Sequence, residues 1–156
     1  MDLQLETFLP YRLNRATALT IAEFSRIYRE EFGLTVPEWR VLATLNALGT
    51  ATATGIGRDS AMHKTKVSRA VASLQQRRWV ARETDAADRR IEHLTLTSAG
   101  KAAFRRLAPK MLTFEEQLLA RLSAAERRDL LRGLDVLEKA LGIPHQQPGT
   151  IDRCNR

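Results

Sequence analysis

The stretch HKTKVSRAVASLQQRRWV, residues 63–80, has two faces that differ in their chemistry. Its apolar residues recur at the i, i+3, i+4 and i+7 spacing of an α-helix: Val67, Ala70, Val71 and Leu74. Its other face begins with cationic and hydroxyl side chains: Lys64, Thr65, Lys66, Ser68 and Arg69. The stretch contains no carboxylate, whereas a solvated helix face usually mixes both signs of charge. We therefore expect an anionic partner against this face.

The positive charge of the chain is concentrated around the same stretch. The 156 residues carry a net charge of +7, and residues 54–90 hold nine Lys and Arg against four acidic residues. Such a patch indicates nucleic acid or another anionic surface as the partner. Length and composition are those of one globular domain. Because no long apolar run or signal-like start is visible, we expect a cytoplasmic protein with no membrane association.

Three helices are predicted ahead of this stretch. Helical spacing from Leu13 to Tyr28 predicts a long first helix that ends near Gly33, a residue suited to a C-terminal cap. A second helix is predicted from Pro37 through Leu45. After a turn, a short third helix is expected over about residues 55–62. Residues 63–80 then form the fourth helix.

A β-hairpin and two long helices are predicted after it. VARET at residues 80–84 and IEHLTLT at residues 91–97 are rich in β-forming residues and flank the turn-forming DAADRR, which predicts the hairpin. Thr97 can cap the next helix, and Ser123 and Glu126 have the spacing of a capping box at the start of the last one.

This order of elements predicts the fold class: mainly α with a small β-hairpin wing, a winged helix-turn-helix plus a helical dimerisation region. In a helix-turn-helix, the amino-terminal residues of the second helix face the bases and phosphates of the major groove. We therefore predict that double-stranded DNA is contacted by Lys64, Thr65, Lys66, Ser68 and Arg69. The alternative is a solvated basic face.

Dimerisation is predicted from the apolar stripes of the long helices. These apolar stripes, Phe104–Leu122 and Leu130–Leu141, could belong to the core of one chain. However, one chain has too few other residues to cover both stripes and the first helix. A two-fold protein also matches a two-fold DNA site. The predicted parts are an N-terminal dimerisation helix (1–36), the winged helix-turn-helix (37–96), C-terminal dimerisation helices (97–142) and a flexible tail (143–156).

The chain also resembles the MarR-type winged-helix transcriptional regulators over about residues 8–141. The resemblance rests on VPEWRVLATL, AMHKTKVSRAVASLQQRRWVARETD, DRR and LTLTSAG, which stand in the order and spacing of that family. It implies an obligate homodimer of triangular shape that binds a pseudo-palindromic operator. It also implies a repressor whose affinity for DNA is relieved by a small aromatic or phenolic ligand, bound between the dimerisation helices and the winged domain.

The resemblance further implies that Arg90 is the wing arginine and that Asp88 is the carboxylate that orients it. We expect Arg90 to enter the minor groove, whose negative potential favours arginine; the alternative is an exposed turn pair. Arg89 is expected to contact a phosphate or remain solvated. Weaker candidates for contacts with the DNA backbone are Arg58, Arg77 and Arg78.

Two residues depart from the commoner pattern of that family. Ala87 stands where the wing usually carries an arginine, so one wing contact of the family is missing from this chain. In this family an aspartate often precedes the helix that enters the major groove, which is the fourth predicted helix of this chain and is called the recognition helix below. His63 stands at that position, so the recognition helix needs another N-terminal cap. Neither departure changes the donor-rich face of that helix.

Four residues are candidates for an effector pocket. Tyr11 and Arg15 lie four apart on one face of the first helix, and Trp39 and Arg40 follow on the second. Aromatic walls with one or two arginines would suit an aromatic carboxylate, or its thioester with a larger anionic carrier. The alternative is that the aromatic residues belong to the core and the arginines make structural ion pairs.

Other classes of function have less support. The sequence shows no Gly-rich phosphate loop, no metal-ligand cluster and no nucleophile beside a base, so we expect neither an enzyme nor a metal or other cofactor. Cys154 is expected to be an inert thiol rather than a redox switch, because nothing near it would activate a thiolate. A winged-helix module that docks on a protein is the alternative function, but such a docking face would be more apolar.

Overall fold

The structure is a computed structural model that describes residues 3–143 of the chain. Its elements follow in the order α1 (Leu9–Phe32), α2 (Val36–Leu48), β1 (Thr50–Ala51), α3 (Ala53–Asp59), α4 (Lys64–Gln76), β2 (Val80–Thr84), β3 (Glu92–Leu96), α5 (Ser98–Leu119) and α6 (Ala124–Ala140). The mainly α fold with a small wing is therefore confirmed. The predicted tail, apart from residue 143, and Cys154 lie outside the described residues.

The ends of three helices are set by a glycine and two capping boxes, of which Gly33 and the Ser123–Glu126 box were predicted. Gly33 ends α1 with φ 60°, and its N–H donates to the carbonyl of Arg29. Thr35 and Glu38 form a capping box at the start of α2. Ser123 and Glu126 form a second box at the start of α6, as predicted. Each box satisfies backbone N–H groups that have no partner inside the helix.

The wing belongs to a three-stranded antiparallel sheet rather than to a hairpin alone. The strand order is β1-β3-β2, with Val80 opposite Leu96 and Thr50 opposite Thr95. The two-residue strand β1 was not predicted, because a run that short has no periodicity to detect. Helix α3 also begins earlier than predicted, because the Thr52 hydroxyl accepts the N–H of Gly55 at 3.1 Å and caps it.

The described residues form two compact units, one ending at Met111 and the other beginning at Leu112. The core of the first unit extends beyond the predicted 37–96 segment, since Tyr28 at one end and Leu107 and Met111 at the other are buried in it. The first part of the stripe Phe104–Leu122 is thus intrachain core, which corrects its assignment to the dimer. The periodicity is the same in either case, so the sequence does not separate the two.

Other apolar residues have no cover within the protomer. In the first unit, residues 9–20 of α1 are exposed throughout, and 66% of Leu19 is accessible. In the second unit, α6 has no buried residue, and its Leu130 and Leu134 are exposed by 45% and 41%. No helix of the described residues is long and apolar enough to cross a membrane.

Candidate nucleic-acid interface

The first turns of α4 carry cations that have no partner in the described part of the protomer. All five side chains predicted to contact DNA are exposed, while Val67 and Ala70 between them are buried. Within residues 3–143, the side chains of Lys64, Lys66 and Arg69 make no hydrogen bond or ion pair. Burial of the apolar face therefore fixes the helix and leaves three positive charges available to a ligand.

The amino terminus of α4 is capped by His63 in place of the aspartate that is common in the family. The Nδ1 atom of its ring accepts the N–H of Thr65 at 3.4 Å, a long and therefore weak hydrogen bond. The first turn of the helix has no acidic residue. Because a helix amino terminus carries partial positive charge, this end attracts anions without a carboxylate to oppose them.

A groove of about 410 Å³ runs beside these cations. It lies between the start of α2 and the exposed face of α4, and its lining is Thr35, Pro37, Glu38, Lys66, Arg69 and Ala70. Its one carboxylate, Glu38, accepts hydrogen bonds from Thr35 and Ser73, so both of its oxygens are occupied by donors within the protein. The free charges of the groove are therefore positive.

The wing tip is organised by Asp85, which was not among the predicted site residues. Its Oδ1 accepts the N–H groups of Ala87 and Asp88 at 2.8 and 2.9 Å, and its Oδ2 lies 2.8 Å from His93 Nε2. The backbone hydrogen bond from Asp88, then the one from His93, lowers the pKa of Asp85 to about 2. An aspartate that begins a polar turn is the sequence signal for such a cap.

Asp88 and Arg90 pair within the turn that Asp85 holds. Asp88 Oδ1 accepts the backbone N–H of Arg90 at 2.9 Å and its Nε at 3.4 Å. The Arg90 side chain is 93% exposed, so its guanidinium stays largely solvated although it pairs with Asp88. The pairing that the resemblance implied is present, whereas insertion of Arg90 into DNA stays a prediction. Arg89 is exposed and has no partner within the described part of the chain.

The weaker arginine candidates have different environments. Arg58 lies 3.6 Å from Asp59, through its Nε, and remains largely solvated. Arg77 is engaged within the protein, because its guanidinium donates two hydrogen bonds to backbone carbonyls. Arg78 is exposed at the end of the recognition helix, with φ 59°. Of these three, Arg77 is the least available to a phosphate.

The predicted effector residues fall into two groups. Trp39 stacks on Tyr28 at 5.9 Å and on Phe104 at 5.7 Å between ring centroids, and it packs, partly buried, against the hydrophobic core. Arg40 is beside this cluster, and its Nη1 donates to the carbonyl of Ser60 at 3.3 Å. The Tyr28 hydroxyl is buried and has no hydrogen-bond partner among the described residues. Burial raises the pKa of Tyr28, against the opposing charges of nearby arginines.

Tyr11 and Arg15 lie elsewhere in the protomer. The Arg15 guanidinium is 5.8 Å from the centroid of the exposed Tyr11 ring. Tyr11 and Tyr28 stand on one uninterrupted helix, about 25 Å apart along its axis at 1.5 Å per residue. Within one protomer, Tyr11 and Arg15 are therefore distant from Trp39 and Arg40, and the assignment of these four residues to an effector site stays a prediction.

Comparisons with known proteins match this geometry. A model of the MarR family matches residues 32–91. YwoH of Bacillus subtilis (strain 168), an uncharacterised HTH-type transcriptional regulator, is 31% identical over 112 residues, which are 72% of this chain and 80% of YwoH.

Two solved structures share the fold at 23% identity. Sco3205, a MarR family transcriptional regulator from Streptomyces coelicolor in complex with DNA, has a TM-score of 0.76 and covers 94% of this chain and 98% of its own. BpsR of Bordetella bronchiseptica, whose DNA binding is regulated by 6-hydroxynicotinic acid, has a TM-score of 0.77 and covers 88% and 98%.

Proposed function

This chain belongs to the MarR family of DNA-binding transcriptional regulators, and we propose that it is a homodimeric repressor that an aromatic acid releases from a pseudo-palindromic operator. The observation that carries the proposal is the unpaired cationic start of α4, which leaves Lys64, Lys66 and Arg69 for bases and phosphates. The wing supplies a second contact through Arg90, held by Asp88.

The homodimer is supported by the apolar residues left exposed on α1 and α6. Leu19 and Leu134 would face water in an isolated protomer, and faces of this kind are typical of surfaces buried between subunits. Light scattering at micromolar concentration should give twice the protomer mass of 17.6 kDa. A mass of 17.6 kDa would contradict the dimer and, with it, the two-fold operator.

The DNA contacts are tested by selecting duplexes from a random pool with the purified protein and measuring the affinity of variants. If Arg69 reads a base, Arg69→Ala should cost about 1–3 kcal/mol of discrimination at one operator position and its symmetry mate. Arg90→Ala should weaken binding to all duplexes, with less loss where the minor groove is wide. Arg128→Ala, at an exposed position of α6, is the control. Unchanged affinity of Arg90→Ala would remove the wing contact from the proposal.

For the effector we propose the region of Tyr28, Trp39 and Arg40. It is supported by a buried hydroxyl without a partner, aromatic rings and a guanidinium that uses one hydrogen bond of its capacity. Regulation of BpsR by 6-hydroxynicotinic acid is a precedent for an aromatic acid acting on this fold. The acid should weaken operator binding by about 1–3 kcal/mol, the usual size of allosteric coupling.

A panel of aromatic acids and their thioesters, titrated against the protein–operator complex, tests this site. Arg40→Ala should keep operator affinity and lose the response. Arg15→Ala is the matched control and should respond as the wild type does. Arg15 lies about 19 Å along α1 from Tyr28. If Arg15→Ala alone loses the response, the effector binds at the start of α1 instead.

A further inference from the structure

Arg77, the residue that ends the recognition helix, is bonded to the end of α1. Its Nη1 donates to the carbonyl of Phe32 at 2.7 Å, and its Nη2 donates to the carbonyl of Gly33 at 2.9 Å. The last carbonyls of a helix have no partner inside it and carry partial negative charge. A guanidinium is therefore well matched to this end of α1, and both of the donors concerned are satisfied there.

The same guanidinium is held on another side by aromatic rings. It lies 5.5 Å from the ring centroid of Trp79, and this ring meets Phe32 edge-on at 6.5 Å. We call Arg77, Trp79, Phe32 and Gly33 the Arg77 clamp. Two donors on one planar group fix an angle as well as a distance, which the single ammonium of a lysine does not.

The clamp joins two elements with different tasks. Helix α1 is continuous from Leu9 to Phe32, so it extends about 36 Å from the exposed apolar turns to the clamp. Helix α4 presents its free cations at its start and is held at its end by Arg77 and, towards α2, by the hydrogen bond from Ser73 to Glu38. These contacts would therefore transmit a change in the direction of α1 to the end of the recognition helix.

We propose that Arg77 is a positioning residue that sets the orientation of the recognition helix relative to α1. Through α1, it sets the separation of the two recognition helices in the dimer, which must match successive major grooves about one DNA turn apart. The inference rests on the proposed function, since it requires a dimer on a two-half-site operator. It assigns Arg77 to the geometry of binding rather than to a phosphate contact.

The experiment uses full-length dimers and a duplex that the wild-type protein selects from a random pool. Affinity is measured across a salt series for this duplex and for versions with one base pair added or removed between the half-sites. Arg77→Ala should keep the dimer mass and the salt slope but lose about tenfold in discrimination between spacings. Tenfold corresponds to the weaker end of one hydrogen bond from a charged group, because the exposed Arg77 can replace part of its bonding with water. Arg77→Lys should recover less than half of that loss. Arg128→Ala, at an exposed position of α6, is the control and should retain the spacing preference.

The outcomes separate the inference from the function on which it rests. A uniform loss of affinity with a salt slope reduced by about one would make Arg77 a phosphate contact and overturn the inference alone. Unchanged spacing preference of Arg77→Ala would overturn it as well. If Arg77→Ala does not fold, Arg77→Lys decides by the same two criteria. Failure of the wild type to select a two-half-site duplex would instead refute the proposed function, and the inference would fall with it.

Discussion

Replacement of the capping residue Glu38 by alanine should destabilise the protein more than replacement of a capping residue that serves its own helix alone. The Glu38 side chain is 5% exposed, and its Oε2 accepts the backbone N–H of Thr35 at 2.6 Å and the Thr35 hydroxyl at 2.7 Å. Its Oε1 accepts the hydroxyl of Ser73 on the recognition helix. Loss of a cap costs about 1 kcal/mol, and a hydrogen bond to a charged group contributes about 1.5–3 kcal/mol. We expect Glu38→Ala to lower the free energy of unfolding by about 3 kcal/mol.

The chain contains a matched control for this change. Glu126 forms the same kind of capping box with Ser123 at the start of α6. However, Glu126 is exposed, and within residues 3–143 its carboxylate accepts hydrogen bonds from Ser123 alone. Glu126→Ala should cost about 1 kcal/mol or less. Urea unfolding followed by tryptophan fluorescence, at one fixed protein concentration because of the dimer, measures both. Equal costs for the two variants would refute the contribution of the Ser73 bond.

The same residue predicts a dependence of stability on pH. Burial raises the pKa of Glu38, but the hydrogen bonds from Ser73 and Thr35 and the charge of Arg77 outweigh it, so the net shift is downward. A carboxylate whose pKa is lower in the folded state stabilises the protein fully above its unfolded value, near 4.5, and loses this contribution as the pH falls below it. The stability difference between wild type and Glu38→Ala should therefore shrink below that pH.

Two further predictions concern the wing and its base. Gly100→Ala should severely destabilise the first unit, because a Cβ there would lie 2.1 Å from the carbonyl oxygen of Trp79. Thermal unfolding measures this loss, and Ser98→Ala, at an exposed position, is the control. The pKa of Asp85 is lowered to about 2, so its carboxylate should stay ionised and keep the hydrogen bonds of the wing turn until the pH falls through that value, which an NMR titration would show. Asp85→Asn should speed amide exchange at Ala87, and unchanged exchange would mean that the turn does not depend on the carboxylate.

Local sequence signals predicted the parts of the fold that depend on neighbours along the chain. The caps at Gly33 and Ser123, the hairpin and the two faces of the recognition helix are all set within a few residues, so spacing and residue type reveal them. The limits of the core were missed because Leu107 and Met111 have the same periodicity whether they pack within the protomer or between protomers. Only the packed chain distinguishes these cases.

The candidate site was predictable where it depends on one helix and not where it depends on two. The free cations at the start of α4 follow from the face they occupy, and the structure adds only that they have no partner in the described protomer. Arg77 and Arg78 are neighbouring arginines that the sequence does not distinguish. Of the two, it is Arg77 whose guanidinium donates hydrogen bonds to the carbonyls at the end of α1. The four predicted effector residues lie on the first two helices, but the length of α1 separates Tyr11 from Trp39 within one protomer, which their positions along the chain did not reveal.

The salt dependence of DNA binding follows from which cations the fold leaves available. Of the nine Lys and Arg in residues 54–90, Arg77 and Arg82 donate to carbonyl or carboxylate partners at 2.7 to 2.9 Å, and Arg58 lies on α3, outside the recognition helix and the wing. Arg90 pairs with Asp88 but remains 93% exposed, so it is counted as available. The remaining six are Lys64, Lys66, Arg69, Arg78, Arg89 and Arg90. A dimer can then neutralise at most about 12 phosphates with these side chains, which limits the slope of log K against log salt to about −11 at −0.9 per phosphate. Removing Arg78 and Arg89 together should make the slope shallower by no more than about four. A wild-type slope steeper than about −11 would require cations other than these six to contact DNA, and the interface would then have to extend beyond the recognition helix and the wing.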